Sequence, residues 1–113
     1  MRKQGFGRII NISSTSGMYG TPQLATYCMA KWGVRGLTKT LAQELKGTGI
    51  VVNDVCPTKV KTPMCETESY VKFINDLTGK DFKNWQEMYE GVPFLEVEDI
   101  SDMSTAGHQP CCR

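Results

Sequence analysis

Arg8-Ile-Ile-Asn-Ile-Ser13 and Ile50-Val-Val-Asn-Asp-Val55 are two short β-branched runs, and the stretch between them, Leu24 to Lys46, carries a helical pattern. Neither run contains proline, and each is almost continuously apolar, as buried strands of a parallel sheet are. In the middle stretch Tyr27, Ala30, Val34, Leu37, Leu41 and Leu45 recur three or four positions apart, which predicts an amphipathic helix over 24–46. Gly47-Thr-Gly49 ends that helix, and Cys56-Pro57 closes the second run. Strand, helix, strand makes one crossover unit, so strands at 8–13 and 50–55 are predicted to lie parallel. In open sheets of this kind ligands gather outside the carboxyl ends of the strands, where Ser14 and the Pro57 loop fall.

Ser14-Thr-Ser-Gly-Met-Tyr-Gly-Thr-Pro22 is small and turn-rich, a loop leaving the first strand. Thirteen residues after Ser14 comes Tyr27, with Lys31 four residues further on. On a helix those two share a face, so the Lys31 ammonium beside the phenol makes Tyr27 a usable acid or base. Gly33 and Gly36 on the same helix read either as sites of close backbone packing or as tolerated weak points. From 65 to 95 the chain turns polar, with Tyr70, Phe73, Phe82, Trp85 and Tyr89 at roughly helical spacing. Two short helices lying over the site are expected there, their aromatics lining a substrate pocket or packing the helices on the body. Glu96 to Met103 opens another helix with acidic residues in its first turn, and 104–113 reads as a frayed tail.

A length of 113 residues suits one small domain or part of a larger one; 40% hydrophobic and 22% charged residues exclude a disordered chain. With a net charge of +1 and no basic cluster, nucleic-acid and anionic-membrane binding are not expected. No apolar stretch approaches the ~20 residues of a membrane span, and the first residues lack the apolar core of a signal peptide, so a cytoplasmic location is expected. The five cysteines lack C-x-x-C spacing, which argues for reduced thiols, with Cys28 a packing residue. His108, Cys111 and Cys112 supply too few well-placed ligands, and no metal site is expected.

These residues together resemble the short-chain dehydrogenase/reductase family, in the second half of its single-domain Rossmann fold. The resemblance runs through Gly7-Arg-Ile-Ile-Asn-Ile-Ser-Ser14, Gly17 and Gly20, Tyr27-Cys-Met-Ala-Lys31, Val52-Asn53 and Pro57-Thr-Lys-Val-Lys-Thr-Pro-Met64, and more weakly through Pro93-Phe-Leu and Glu98-Asp-Ile100. It implies an α/β fold, part of a doubly wound parallel sheet over residues 1–103 with a short helical lid, and a divergent tail from Ser104.

It also implies NAD or NADP as cofactor and an alcohol or ketone as small-molecule substrate. Tyr27 would exchange the proton with the carbonyl oxygen, Ser14 would hold that oxygen, and Lys31 would act on Tyr27 and on the nicotinamide ribose. Val60 and Thr62 would hold the carboxamide, while Pro57 shapes their loop. The chain departs from the family at Thr58, which stands where a glycine is usual. It also begins just before the Ser14 strand, so the glycine-rich phosphate loop and the relay asparagine fall outside it, and Asn11 does not take that role. Two readings follow: the catalytic half of an oxidoreductase, or a non-catalytic fragment that forms homo- or hetero-oligomers through the 24–46 helix.

Overall fold

The computed structural model describes residues 1–106, which fall into two compact units. The first holds Met1–Pro57 together with 101–106; the second holds Thr58–Ile100.

In the first unit strand β1, Gly7–Ile12, pairs in parallel with β2, Ile50–Val55, with Gly7 opposite Ile50 and Ile12 opposite Val55. Helix α1, Ala25–Glu44, joins them. Strand alternation turns Ile9, Ile50 and Val52 to the helix, where they pack with Leu41, Ala42 and Leu45. A single crossover helix covers one face of a sheet, so Ile10, Ile12 and Val51 remain exposed on the other. The helix is shorter at both ends than its apolar period suggests. The Thr48 hydroxyl donates to the Leu45 carbonyl at 2.6 Å and turns the chain out of it. Gly49 then adopts φ 74°, and a Cβ there would overlap the Gly5 carbonyl oxygen, so only glycine admits the chain into β2.

The second unit is built on α2, Glu68–Thr78, and α3, Trp85–Gly91. Both start on capping side chains: Thr67 accepts from the Tyr70 amide at 3.2 Å, and Asn84 from the Glu87 amide at 2.9 Å. Val71, Ile74, Met88 and Val92 form its core, with Tyr70, Phe73, Phe82, Trp85, Tyr89 and Phe94 packed against them. Asn75 clamps the intervening loop by exchanging two hydrogen bonds with the Phe82 backbone, both 2.9 Å. Residues 59–61 run beside Leu95 through paired backbone bonds, Lys61 to Leu95 and Leu95 to Lys59, each 2.9 Å.

Helix α4, Val97–Ala106, begins where Asp99 accepts from the Glu96 amide at 2.9 Å. It runs past the expected break at Ser104, and the Thr105 hydroxyl bonds the Asp102 carbonyl at 3.0 Å in its last turn. The expectations for His108, Cys111 and Cys112 lie outside the described residues. Among the described residues no helix is long and apolar enough to cross a membrane.

Candidate functional site

Beyond β1 the chain stays with β2 for two more steps: the Ser13 amide donates to the Val55 carbonyl at 2.8 Å, and the Thr15 amide to the Pro57 carbonyl at 2.9 Å. These bonds hold Ser14 and Pro57 at the neighbouring carboxyl ends of the two strands. Ser14 is extended and buried, and it caps a short 3-10 turn, Thr15–Gly17, by accepting from the Ser16 amide at 3.1 Å. That bond uses an oxygen lone pair, so the hydroxyl proton of Ser14 stays available to another acceptor.

The turn lies directly on α1. A Cβ on Gly17 would sit 2.8 Å from the Lys31 carbonyl oxygen and 2.7 Å from the Ser13 hydroxyl, closer than real packing admits. Ser13 also donates its hydroxyl to the Lys31 carbonyl at 2.9 Å. The Lys31 ammonium crosses to the end of β1, donating to the Ile12 carbonyl at 3.1 Å, and lies 5.6 Å from the centre of the Tyr27 ring. One of its three protons is thereby used. The Tyr27 side chain is 43% exposed. Ser14, Pro57, Tyr27 and Lys31 thus all belong to the strand-end region of the first unit.

One helical turn past Lys31, Arg35 donates from Nε to the Asp54 carboxylate at 3.1 Å and from Nη1 to the Gly17 carbonyl at 3.2 Å. The Cys56 thiol donates to the same Asp54 oxygen at 3.2 Å. Burial, and then the bond and charge of Asp54, push the Cys56 thiol up from its ordinary value. This network went unread in the sequence. Its signal was present in Asp54, a carboxylate inside an apolar strand that has to find a cation.

Val60 and Thr62 belong to the second unit, where both gather around Cys65. The buried Cys65 thiol donates to the Val60 carbonyl at 3.3 Å and lies 3.8 Å from the Thr62 hydroxyl. The Cys65 amide and the Tyr89 phenol both reach the Thr62 carbonyl, at 2.8 and 3.5 Å. Burial, aided by the charges of Cys65 and Glu66, pushes the Tyr89 phenol up. Lys61 pairs with Glu96 beside it.

Of the two readings open for the aromatics of 65–95, packing is the one seen for all five, which rest on the Val71, Ile74, Met88 and Val92 core. Phe82 and Trp85 also border an open groove of about 550 Å³ with Glu66, Lys72 and Lys83. Among the described residues outside the helix's own backbone, nothing lies within 4 Å of where a Cβ on Gly33 or Gly36 would be, so no close packing is seen at either. Among the described residues no three His, Cys, Asp or Glu side chains come together as a metal site requires.

Residues 1–70 match the family model of the short chain dehydrogenases. The chain is 47% identical over 108 residues to a D-beta-hydroxybutyrate dehydrogenase of Rhizobium meliloti (strain 1021), covering 92% of itself and 42% of that protein. It is 49% identical over 98 residues to a diacetyl reductase, (S)-acetoin forming, of Staphylococcus aureus (strain Mu50 / ATCC 700699), covering 87% of itself and 38% of that enzyme. Among solved structures, a variant actinorhodin polyketide ketoreductase with NADPH superposes with a TM-score of 0.78 at 35% identity, over 96% of this chain and 42% of that one. An NAD+-bound xylitol dehydrogenase superposes with a TM-score of 0.72 at 26% identity, over 93% of this chain and 43% of that one. The chain therefore spans about two fifths of the length of these relatives, in the Rossmann part of their fold.

Proposed function

The chain belongs to the short-chain dehydrogenase family, and from that premise we propose that it carries the catalytic half of an NAD(P)-dependent oxidoreductase interconverting a small alcohol and its ketone. The observation that carries the proposal is Lys31: its ammonium sits at the end of β1, bonded to Ile12 and close to the Tyr27 ring. When bound, the nicotinamide supplies or removes hydride at the carbon. Tyr27 delivers the proton to the carbonyl oxygen during reduction and takes it from the hydroxyl during oxidation. Ser14, whose hydroxyl proton is not used by the capping bond from Ser16, donates to that oxygen and fixes its position. Lys31 has two N–H groups left for the ribose hydroxyls, a donor set suited to a sugar diol. Thr62 and the Val60 backbone, held around Cys65, present the hydroxyl and amide suited to a carboxamide. Pro57 holds the strand-end turn through its carbonyl.

Similar proteins include one with NADPH and one bound to NAD+, so both cofactors enter the test. Purified chain is titrated with NADH and with NADPH while cofactor fluorescence is followed, and then supplied with diacetyl. A saturable change and ketone-dependent oxidation are expected with one cofactor. Absence of saturation with both overturns the proposal.

A second reading, a non-catalytic interaction module, draws support from the outer side of α1. Met29 is 72% exposed and Leu37 55%, with Trp32 between them and open glycines at 33 and 36. Such a face suits a helix of a second copy or of a relative. Sedimentation at micromolar concentration decides it, and a monomer with no partner removes the reading.

A further inference from the structure

We infer that Arg35 is a positioning residue, whose guanidinium sets the Ser14 turn against the Tyr27 and Lys31 face of α1; this rests on the functional reading above. Three elements meet at this side chain. Its own helix carries Tyr27, Lys31 and Arg35 at successive steps of four, so acid, cation and strut rise from one face. Its Nε bonds Asp54 near the end of β2, and its Nη1 bonds the Gly17 carbonyl, the last of the turn that Ser14 caps.

The two nitrogens are rigidly spaced in a planar fork, so one guanidinium fixes the distance between the carboxylate and the turn. A lysine ammonium lacks that fork. The Cys56 thiol donates to the same Asp54 oxygen, a second bond on the anchor of the strut. Lateral freedom of the turn is already removed by the close approach of Gly17 to the Lys31 carbonyl and by the bond from Ser13 to that same oxygen. Arg35 supplies the remaining tie, one helical turn further along.

The tie is separate from what holds the unit together. The apolar cluster of Leu45, Ile50 and Val52 lies at the opposite end of the strands, where β2 begins. Loss of the fork therefore loosens the turn and the Ser14 hydroxyl it carries, and leaves the sheet closed.

The test uses the full chain as Arg35→Lys, with Asp54→Asn as a second variant. Amide exchange is followed by NMR at Gly17, Met18 and Tyr19, whose N–H groups bond within the turn, and at Val51 and Val55 in β2, whose N–H groups face β1 in the parallel register. Exchange at the three turn amides is expected to accelerate about tenfold or more in Arg35→Lys, while the β2 amides stay within about twofold. Turn amides unchanged in both variants, or an equal acceleration of β2, overturn the inference. In the same preparations, turnover of diacetyl is expected to lose about tenfold in kcat with the cofactor KM within about twofold. A rise in KM alone counts against it. Wild-type chain without turnover defeats the functional reading, and the exchange result then decides this inference by itself.

Discussion

The side-chain amide of Asn11 donates to the Thr38 hydroxyl at 2.8 Å, and that hydroxyl donates in turn to the Val34 carbonyl at 2.8 Å. The carboxyl-terminal part of β1 is thereby bonded to α1 through a threonine only 3% exposed. The bond pairs the buried Thr38 hydroxyl with the half-buried Asn11 amide, so neither has to rely on water for its partner.

Thr38→Val keeps the shape and strips the acceptor, leaving the Asn11 amide without its partner. A loss of about 1–3 kcal/mol in urea unfolding is expected, against about 1 kcal/mol or less for Thr38→Ser. Equal stability of the valine variant and the wild type would show that Asn11 finds another acceptor.

Gly17→Ala places a methyl group against the Lys31 carbonyl and the Ser13 hydroxyl, at 2.8 and 2.7 Å. Backbone has to move to admit it, and an overpacking cost of about 1–3 kcal/mol is expected in the same unfolding measurement. Gly20→Ala serves as the control, because among the described residues nothing lies within 4 Å of where its Cβ would be.

Cys56 is expected to alkylate more slowly than an unfolded thiol at mildly alkaline pH, because its pKa is raised by burial and by Asp54. The sign of the pH dependence follows. The folded thiol holds its proton more tightly than the unfolded one, so its contribution to stability is whole below about 8.5 and declines as pH rises through the folded value. Asp54→Asn removes the charge and leaves only a neutral acceptor for the thiol, and should quicken alkylation; site-resolved mass spectrometry of iodoacetamide labelling measures it. A slower reaction in that variant contradicts the assignment.

Tyr27→Phe deletes the proposed proton donor and keeps the ring against which Lys31 lies. Turnover is expected to fall about a hundredfold or more, with cofactor fluorescence titrating as before. Retained turnover removes the phenol from the mechanism.

The expected helices over 65–95 illustrate where pattern reading stops. Spacing of Phe73, Trp85 and Tyr89 announces apolar helix faces, and a pocket wall and a small core call for the same faces. Packing on Met88, which is 0% exposed, resolved the ambiguity toward a core. The run from Glu96 to Met103 announced α4 through its acidic first turn, but serine and threonine at 104 and 105 concealed its last turn, where a local side-chain bond continues it.

Strand, helix and strand were legible in the chain because β-branched density and a three-to-four period are local properties, carried by neighbours in sequence. The pairing of Tyr27 with Lys31 is local too, one helical turn apart. What the chain did not disclose are the bonds between residues 18, 19 and 27 positions apart: Arg35 to Gly17, Arg35 to Asp54, and Asn11 to Thr38. Each depends on the register of β1 against β2 and on how α1 rolls across them. A slip of one residue would turn Asp54 to the opposite face and leave Arg35 without its anchor, and nothing in local spacing specifies that choice.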